Sequence, residues 1–184
     1  MARDGARKTG GQHRGQASRS KGFDPTDILS ALNAARVKYM VVGGLAVILH
    51  GVDRHTWDLD LCVELAVDNL KALEVAIKRI GFARRVPAPI EGLADPTIRR
   101  LWTVERHMQV YSFHEPYGRS RVVDVMVKPL ARFDETYRRR VIVRGCGVSI
   151  PLMPVDILMK MKRAAGRPQD LWDVAALKRL GVSK

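Results

Sequence analysis

Two aspartates on alternate positions of the apolar stretch WDLDLCV, residues 57–63, have the spacing of metal ligands. In a β-strand, Asp58 and Asp60 point to the same face, about 7 Å apart, while the leucines beside them face the other side. The two carboxylates repel each other unless a positive charge lies between them. Mg²⁺ binds hard oxygen ligands, typically one or two carboxylates together with substrate phosphates and water. The pair therefore predicts a site for Mg²⁺ or Mn²⁺; an edge strand with a solvated acidic face is the alternative.

A third aspartate stands in another apolar stretch, RVVDVMV, residues 121–127. An isolated Asp124 among valines is costly unless its carboxylate reaches a metal or a cation. Two metal ions about 4 Å apart can flank a phosphoryl group during its transfer, and a third acid usually completes such a site. Asp124 is the candidate for that position, and an ion pair with a nearby arginine is the alternative.

A glycine pair precedes these aspartates. Gly43 and Gly44 follow the apolar stretch YMVV and lead into a short apolar segment. Glycines between a strand and a helix let backbone N–H groups and the helix N-terminus come close to a phosphate. A Gly-Gly pair is weak evidence by itself, but its position shortly before the aspartate pair favours a site that handles phosphates.

The elements that must position these residues alternate between helices and strands. An N-terminal helix is predicted up to about Val37, with Asp24 as its N-cap and Pro25 at its first helical position. YMVV and WDLDLCVE have strand patterns, with the short helix LAVILHG between them, and AVDNLKALEVAIKRIGF has the pattern of a helix.

The second half of the chain adds strands and then helices. RHMQVYSFH and SRVVDVMVK are typical of strands, and RVIVRGCGVSIPL predicts two short strands around a glycine turn. The last segment predicts two helices split at Gly166. The expected fold class is α/β (α+β), with a mixed-sheet core flanked by helices and a helical C-terminal end.

Length and charge indicate one domain with a basic tail. The chain has 184 residues and a net charge of +13. Residues 1–22 hold six Lys or Arg residues against one aspartate, in a Gly/Ser/Gln-rich stretch that predicts a disordered basic tail. We expect the core over residues 23–153 and a C-terminal helical pair over 154–184, packed on the same domain. The remaining basic runs favour a polyanionic partner, with solvated surface as the alternative.

Other sequence features point to the cytoplasm and to packing roles. No apolar run approaches the roughly 20 residues of a membrane span, and the first residues lack a secretory signal. Cys62 and Cys146 are expected to be free thiols. The three tryptophans, which are expected in the core or at its edge, are Trp57, Trp102 and Trp172. Too few aromatic residues adjoin the basic runs to indicate base stacking.

Two segments carry a resemblance to a known family. VVGGLAVILHGVDRHTWDLDL resembles the polymerase-β-like nucleotidyltransferases, in which Gly-Gly or Gly-Ser is followed, after a short helix, by Asp-x-Asp. An Arg-x-Thr-x-Asp-x-Asp pattern, similar to the small prokaryotic branch with abortive-infection type toxins, is formed by Arg54, Thr56, Asp58 and Asp60. The C-terminal motif of that branch is matched at Lys162, Gly166, Arg167, Asp170 and Asp173. The likeness covers residues 38–64 and 154–180.

The resemblance implies a role for each matched residue. The metal ligands would be Asp58, Asp60 and Asp124, and Asp124 would also be the base for the incoming nucleophile. The triphosphate of a nucleotide would be held by Gly43 and Gly44. Its charge would be offset by Lys162 and Arg167. Many active members have Ser where this chain has Gly44, which removes a hydroxyl from the phosphate site.

The remaining matched residues have structural alternatives. Arg54 and Thr56 are candidates for nucleotide binding, and the alternative is that they only shape the turn before the strand. Asp170 and Asp173 lie three residues apart on a helix. The alternative to a functional role in the motif is a structural one, in which they cap the first turn of the helix and pair with Lys162, Arg163 or Arg167.

The resemblance implies a metal-dependent enzyme that moves a nucleoside monophosphate from ATP or another nucleoside triphosphate to an acceptor hydroxyl and releases pyrophosphate. The basic tail favours RNA, such as a tRNA end, as the acceptor. Likeness to toxins implies an antitoxin protein as a partner. The alternatives are a nucleotide- or RNA-binding module that has lost turnover, and a nucleotidyltransferase that modifies a small molecule such as an antibiotic.

Overall fold

A computed structural model describes residues 23–116 and 121–181 of the chain. Its strands are β1 Tyr39–Val41, β2 Asp58–Val63, β3 Ala83–Arg84, β4 Val110–His114, β5 Val122–Met126, β6 Val141–Gly145 and β7 Val148–Leu152. They form one mixed seven-stranded sheet in the order β3-β4-β5-β2-β1-β7-β6. The predicted basic tail, residues 1–22, lies outside the described residues.

Helices flank this sheet. They are α1 Thr26–Ala34, α2 Gly43–Leu49, α3 Val67–Arg79, α4 Pro96–Arg100, α5 Phe133–Arg138, α6 Val155–Ala165 and α7 Pro168–Arg179. A 3₁₀-helix, Ile90–Ala94, precedes α4, and a turn of π-helix, Leu101–Glu105, follows it. The predicted fold class, a mixed-sheet core flanked by helices, is confirmed. Within the described ranges, no helix has the length and apolarity that a membrane crossing needs.

The strands that carry the aspartates are neighbours within the sheet. β2 runs parallel to β5 and places Asp60 opposite Asp124. β4 lies antiparallel on the other side of β5 and places Ser112 opposite Asp124. Residues directly opposite each other in a sheet share a face. The register therefore brings the side chains of Asp60, Asp124 and Ser112 side by side, with Asp58 two residues away on the same face.

The other face of these strands belongs to the core. Leu59 and Leu61 on β2, and Val123 and Val125 on β5, are fully buried, whereas the aspartates between them are partly exposed. The buried residues form one core with the apolar side chains of α1, α3, α6 and α7. The alternation of apolar and acidic residues thus fixes which face of the sheet is closed and which stays open.

The C-terminal helices meet at Gly166, as the sequence predicts. Gly166 follows the last residue of α6 with a φ of 68°, a left-handed conformation that glycine adopts without strain. Pro168 then begins α7. Leu158 on α6 and Leu177 on α7 are buried in the core. The helical pair is therefore held against the sheet domain by apolar contacts.

The boundaries of the first two helices differ from the prediction. α1 begins at Thr26, with Pro25 rather than Asp24 in the capping position, although the Asp24 carboxylate accepts a hydrogen bond from the Thr26 N–H at 3.0 Å. α1 ends at Ala34, before Val37. α2 begins at Gly43, so the glycine pair lies in the first turn of this helix rather than before it.

The segment between α3 and β4 contains helices that the sequence pattern did not predict. Its prolines and glycine obscure the apolar periodicity, and the helices are only one or two turns long. One local signal was present: Asp95 precedes Pro96, and its carboxylate accepts hydrogen bonds from the N–H groups of Thr97 and Ile98. The strand predicted over RHMQVYSFH begins only at Val110.

Candidate active site

Three carboxylates converge on the open face of the sheet. Asp58, Asp60 and Asp124 each offer one carboxylate oxygen, and these atoms lie within 4.8 Å of one another. Oδ1 of Asp124 is buried and has no hydrogen-bond partner within the described part of the chain. Three convergent hard oxygen donors, one of them buried without a partner, fit a divalent cation such as Mg²⁺ or Mn²⁺.

The electrostatics of this cluster favour the arrival of positive charge. Burial, together with the nearby carboxylates of Asp58 and Asp124, raises the pKa of Asp60 to about 6, although Lys162 and Arg167 act in the opposite direction. Burial also raises the pKa of Asp124, although a hydrogen bond from Ser112 acts against it. Each shift means that the charged form costs free energy here. A divalent cation would offset that cost.

Gly43 and Gly44 pack directly against β2 and the turn that precedes it. Gly43 has a φ of 63°, and a Cβ atom there would overlap the carboxylate of Asp60. At Gly44 a Cβ atom would lie 2.6 Å from Oγ1 of Thr56 and 3.1 Å from Nη2 of Arg54. Both positions therefore exclude larger residues because the side chains that follow in β2 and its preceding turn fill the space.

Thr56 and Arg54 make specific contacts in the turn before β2. The Thr56 hydroxyl donates a hydrogen bond to Oδ1 of Asp58 at 2.6 Å and so orients that carboxylate. Nη1 of Arg54 donates to Oδ2 of Asp173 at 2.6 Å, and Nε donates to the carbonyl of His55. The turn is thereby tied both to the metal-ligand candidates and to α7.

Lys162 and Arg167 belong to the same ion network. The buried ammonium group of Lys162 contacts Asp170 at 3.1 Å and Asp173 at 2.6 Å. Arg167 pairs with Asp170 at 2.5 Å, but most of its own side chain is exposed. The pairing of Asp170 and Asp173 with basic residues, which is part of their structural alternative, is observed. Both cations also favour the charged form of Asp60, so they lie near the acidic cluster.

The sequence patterns did not point to Ser112, although its place opposite Asp124 follows from the pairing of β4 with β5. The tryptophans are expected in the core or at its edge. Trp102 is buried in the core, whereas Trp57 and Trp172 are 68% and 44% exposed and therefore lie outside it. Nothing in the apolar periodicity of α7 distinguished Trp172 from a core residue.

Comparisons with known proteins give structural matches only. No protein-family model and no curated protein matches the chain. The lincosamide antibiotic adenylyltransferase LnuA, in a lincomycin-bound crystal structure, matches with a TM-score of 0.57 and 14% sequence identity, over 85% of this chain and 98% of that chain. An antigenic nucleotidyltransferase-like protein from Paracoccidioides brasiliensis matches with a TM-score of 0.51 and 17% identity, over 83% and 72% of the two chains.

A third solved structure gives the same result. It is a protein from Thermotoga maritima assigned as a nucleotidyltransferase, with a TM-score of 0.51 and 14% identity, over 84% of this chain and 88% of that chain. At these identities the likeness concerns the fold. The chain has the fold of the nucleotidyltransferases, which agrees with the superfamily that its sequence resembles.

Proposed function

We propose that this protein is a metal-dependent nucleotidyltransferase that moves a nucleoside monophosphate from a nucleoside triphosphate to an acceptor hydroxyl. The observation that carries the proposal is the convergence of Asp58, Asp60 and Asp124 beside the Gly43-Gly44 turn. A lone acidic cluster would be a weak argument. Its combination with a close-packed glycine turn on a nucleotidyltransferase fold supports transfer chemistry at this place.

In this proposal each residue has a defined task. Asp58, Asp60 and Asp124 would hold Mg²⁺ or Mn²⁺, which when bound neutralises charge on the phosphates and polarises the α-phosphoryl group. The backbone of Gly43 and Gly44 would face the triphosphate. The remaining charge would be offset by Lys162 and Arg167, which already act electrostatically on Asp60.

The proposed step is a displacement at the α-phosphorus. The acceptor oxygen forms a bond to phosphorus, the bond from phosphorus to the bridging oxygen breaks, and pyrophosphate leaves with that electron pair. Asp124 would accept the proton of the acceptor hydroxyl. Positioning and charge neutralisation would supply most of the rate enhancement.

RNA, such as a tRNA end, is the proposed acceptor. Three cationic side chains, Arg99, Arg100 and Lys128, line a cleft of about 420 Å³. Lys128 follows Asp124 by four residues, just beyond the end of β5. Cationic clefts attract polyanions from solution, which supports RNA over a neutral small molecule. The domain organisation that we propose is a basic tail at residues 1–22, a core at 23–153 and a helical pair at 154–184. The proposed location is the cytoplasm.

The test is transfer of label from α-³²P-labelled triphosphates. Purified protein is incubated with Mg²⁺, each of the four triphosphates in turn, and total RNA. We expect label to enter RNA, and we expect the Asp58→Ala and Asp60→Ala variants to transfer none. Asp68→Asn, an exposed aspartate on α3 away from the cluster, is the matched control and should transfer as the wild type does. Transfer that persists in both alanine variants would contradict the proposal.

A role as a toxin with an antitoxin partner is the physiological part of the proposal, and it rests on the resemblance of the two motifs. Expression in a bacterial host should arrest growth in the wild type and not in Asp60→Ala. Co-expression of a small protein encoded beside the gene should relieve the arrest. If growth is unchanged while the protein transfers label to RNA, the toxin role is contradicted and the proposed enzymatic activity stands.

Two alternatives have their own outcomes when a candidate antibiotic is added to the same assay. The fold match to LnuA, which extends over 98% of that chain, supports transfer to a small molecule such as an antibiotic. In that case label moves to the drug rather than to RNA, and expression confers resistance. A binding module that has lost turnover would bind nucleotide or RNA and transfer no label with any triphosphate.

A further inference from the structure

A recess of about 320 Å³ opens beside the glycine turn, on the side of α7. Its lining residues are Asp53, Arg54, His55, Gln169 and Trp172. They come from two places that are far apart in the chain, the turn before β2 and the first half of α7. Arg54 belongs both to this lining and to the surroundings of Gly44, so the recess adjoins the proposed triphosphate position.

We propose that this recess holds the nucleobase of the nucleoside triphosphate. This inference rests on the proposed function and assigns the part of the nucleotide site that binds the base. The indole of Trp172 is 44% exposed although it lies on a helix that packs on the core. An exposed indole at the wall of a recess provides a face for a base to stack on, and such stacking contributes about 1–3 kcal/mol per base.

Two polar groups of the recess, Arg54 and Gln169, are held in position by hydrogen bonds. Asp173 is fully buried and accepts hydrogen bonds from Nη1 of Arg54 at 2.6 Å and from Nε2 of Gln169 at 3.2 Å. Lys162 binds the same carboxylate at 2.6 Å. Because the side-chain amide N–H of Gln169 donates to Asp173, its carbonyl oxygen remains available as an acceptor. One buried carboxylate thus orders both walls of the recess before any ligand arrives.

The chemistry of the lining indicates which bases fit. The Asp53 carboxylate and the Gln169 carbonyl oxygen are acceptors, and they match the exocyclic amino groups of adenine, guanine and cytosine. Uracil has no exocyclic amino group and can offer only its ring N3–H. A base pocket lined in this way therefore favours the three bases that carry an amino group over uracil.

The test compares nucleotide with bare triphosphate on the full chain. The probes are inorganic triphosphate and a non-hydrolysable ATP analogue, each with Mg²⁺, and the measurement is the dissociation constant by calorimetry. In the wild type the analogue should bind at least about fivefold more tightly than inorganic triphosphate. Trp172→Ala should lose that advantage and leave triphosphate binding unchanged, and Trp172→Phe should retain most of it.

Leu171→Ala is the matched control, because Leu171 is an exposed neighbour on α7 that does not line the recess. It should change neither constant. The inference is overturned if Trp172→Ala binds the analogue as the wild type does, or if it weakens both probes equally. It is also overturned if Trp172→Ala keeps its nucleotide affinity but transfers less label to the acceptor, since the recess would then bind the acceptor. If folded wild-type protein binds neither probe, the proposed function fails as well.

Discussion

At the scale of single residues, the side chains that lie against Gly43 and Gly44 require glycine at both positions. Gly43 leaves room for the carboxylate of Asp60, and Gly44 leaves room for the Thr56 hydroxyl and the Arg54 guanidinium. The departure from the Gly-Ser pattern of many nucleotidyltransferases has a local explanation. In this chain the space that a serine at residue 44 would need is filled by Thr56, whose hydroxyl orients Asp58 instead.

The Gly44→Ser substitution tests this explanation. Introducing a side chain into filled space costs about 1–3 kcal/mol, so we expect a loss of that size in the free energy of unfolding, measured by urea denaturation. The loss should shrink by about 1 kcal/mol in a Thr56→Ala background, where the colliding hydroxyl is gone. Gly145→Ala is the control, since a Cβ atom at residue 145 meets nothing within 4 Å. An equal cost in both backgrounds would show that Thr56 is not the obstacle.

At the scale of elements, a buried ion network joins α6 and α7 to the turn before β2. Asp173 and Asp170 lie at its centre, with Lys162 between them and Arg54 and Arg167 on the outside. The network connects residues 119 positions apart in the chain through Arg54 and Asp173. The helical end is therefore part of the architecture that shapes the site, in addition to covering the core.

The pH dependence of stability should reveal this network. Burial raises the pKa of Asp170, but hydrogen bonds from Arg167 and Lys162 more than offset that effect and leave the pKa below its usual 3.8. A carboxyl with a lowered pKa in the folded state stabilises the protein above pH 4, and this contribution is lost as the pH falls through the lowered pKa. At pH 7, Asp170→Asn should cost about 2 kcal/mol in the free energy of unfolding, because Lys162 is buried and Arg167 is largely exposed.

Denaturation at pH 7 and pH 3 checks this prediction. The difference between wild type and Asp170→Asn should be smaller at pH 3 than at pH 7. The exposed Asp68→Asn variant should follow the wild type at both values. A cost for Asp170→Asn that is the same at both pH values would mean that the charge of Asp170 does not stabilise the fold.

At the scale of the whole molecule, the charge of +13 is divided between the N-terminal segment and the folded part. Arginines and lysines on the folded part line the cleft near β5, and six more precede residue 22. Long-range attraction of a polyanion depends on this total and weakens with salt. The acceptor proposed for the site and the charge of the molecule are consistent with each other.

Deletion of residues 1–22 separates the contribution of the tail from that of the fold. We expect the melting temperature to stay nearly unchanged, because the predicted tail has no apolar periodicity with which to pack. Binding to RNA in low salt should weaken, and the salt dependence of the binding constant should become less steep. A full-length variant with the six basic residues replaced by serine should behave as the deletion does. Equal RNA affinity for all three proteins would remove RNA binding from the tail.

Local patterns predicted the parts of this structure that depend on local physics. The alternation in β2 and β5 placed the aspartates opposite the apolar core face, and Gly166 marked the boundary between α6 and α7. The parallel pairing of β2 with β5, which brings Asp124 to Asp60, depends on contacts across more than sixty residues, and periodicity does not encode it. For the same reason the partner of Arg54 was not predicted. A salt bridge has no sequence period, and Asp173 is one of 19 acidic residues.

The convergence of Asp58, Asp60 and Asp124 around divalent cations is tested most directly by Mn²⁺ binding, measured by electron paramagnetic resonance of the free ion. We expect the wild type to bind Mn²⁺ and the Asp60→Ala and Asp124→Asn variants to bind at least about tenfold more weakly. The Asp68→Asn control should match the wild type. Equal Mn²⁺ affinity in the wild type and the two site variants would contradict a metal centre at these carboxylates.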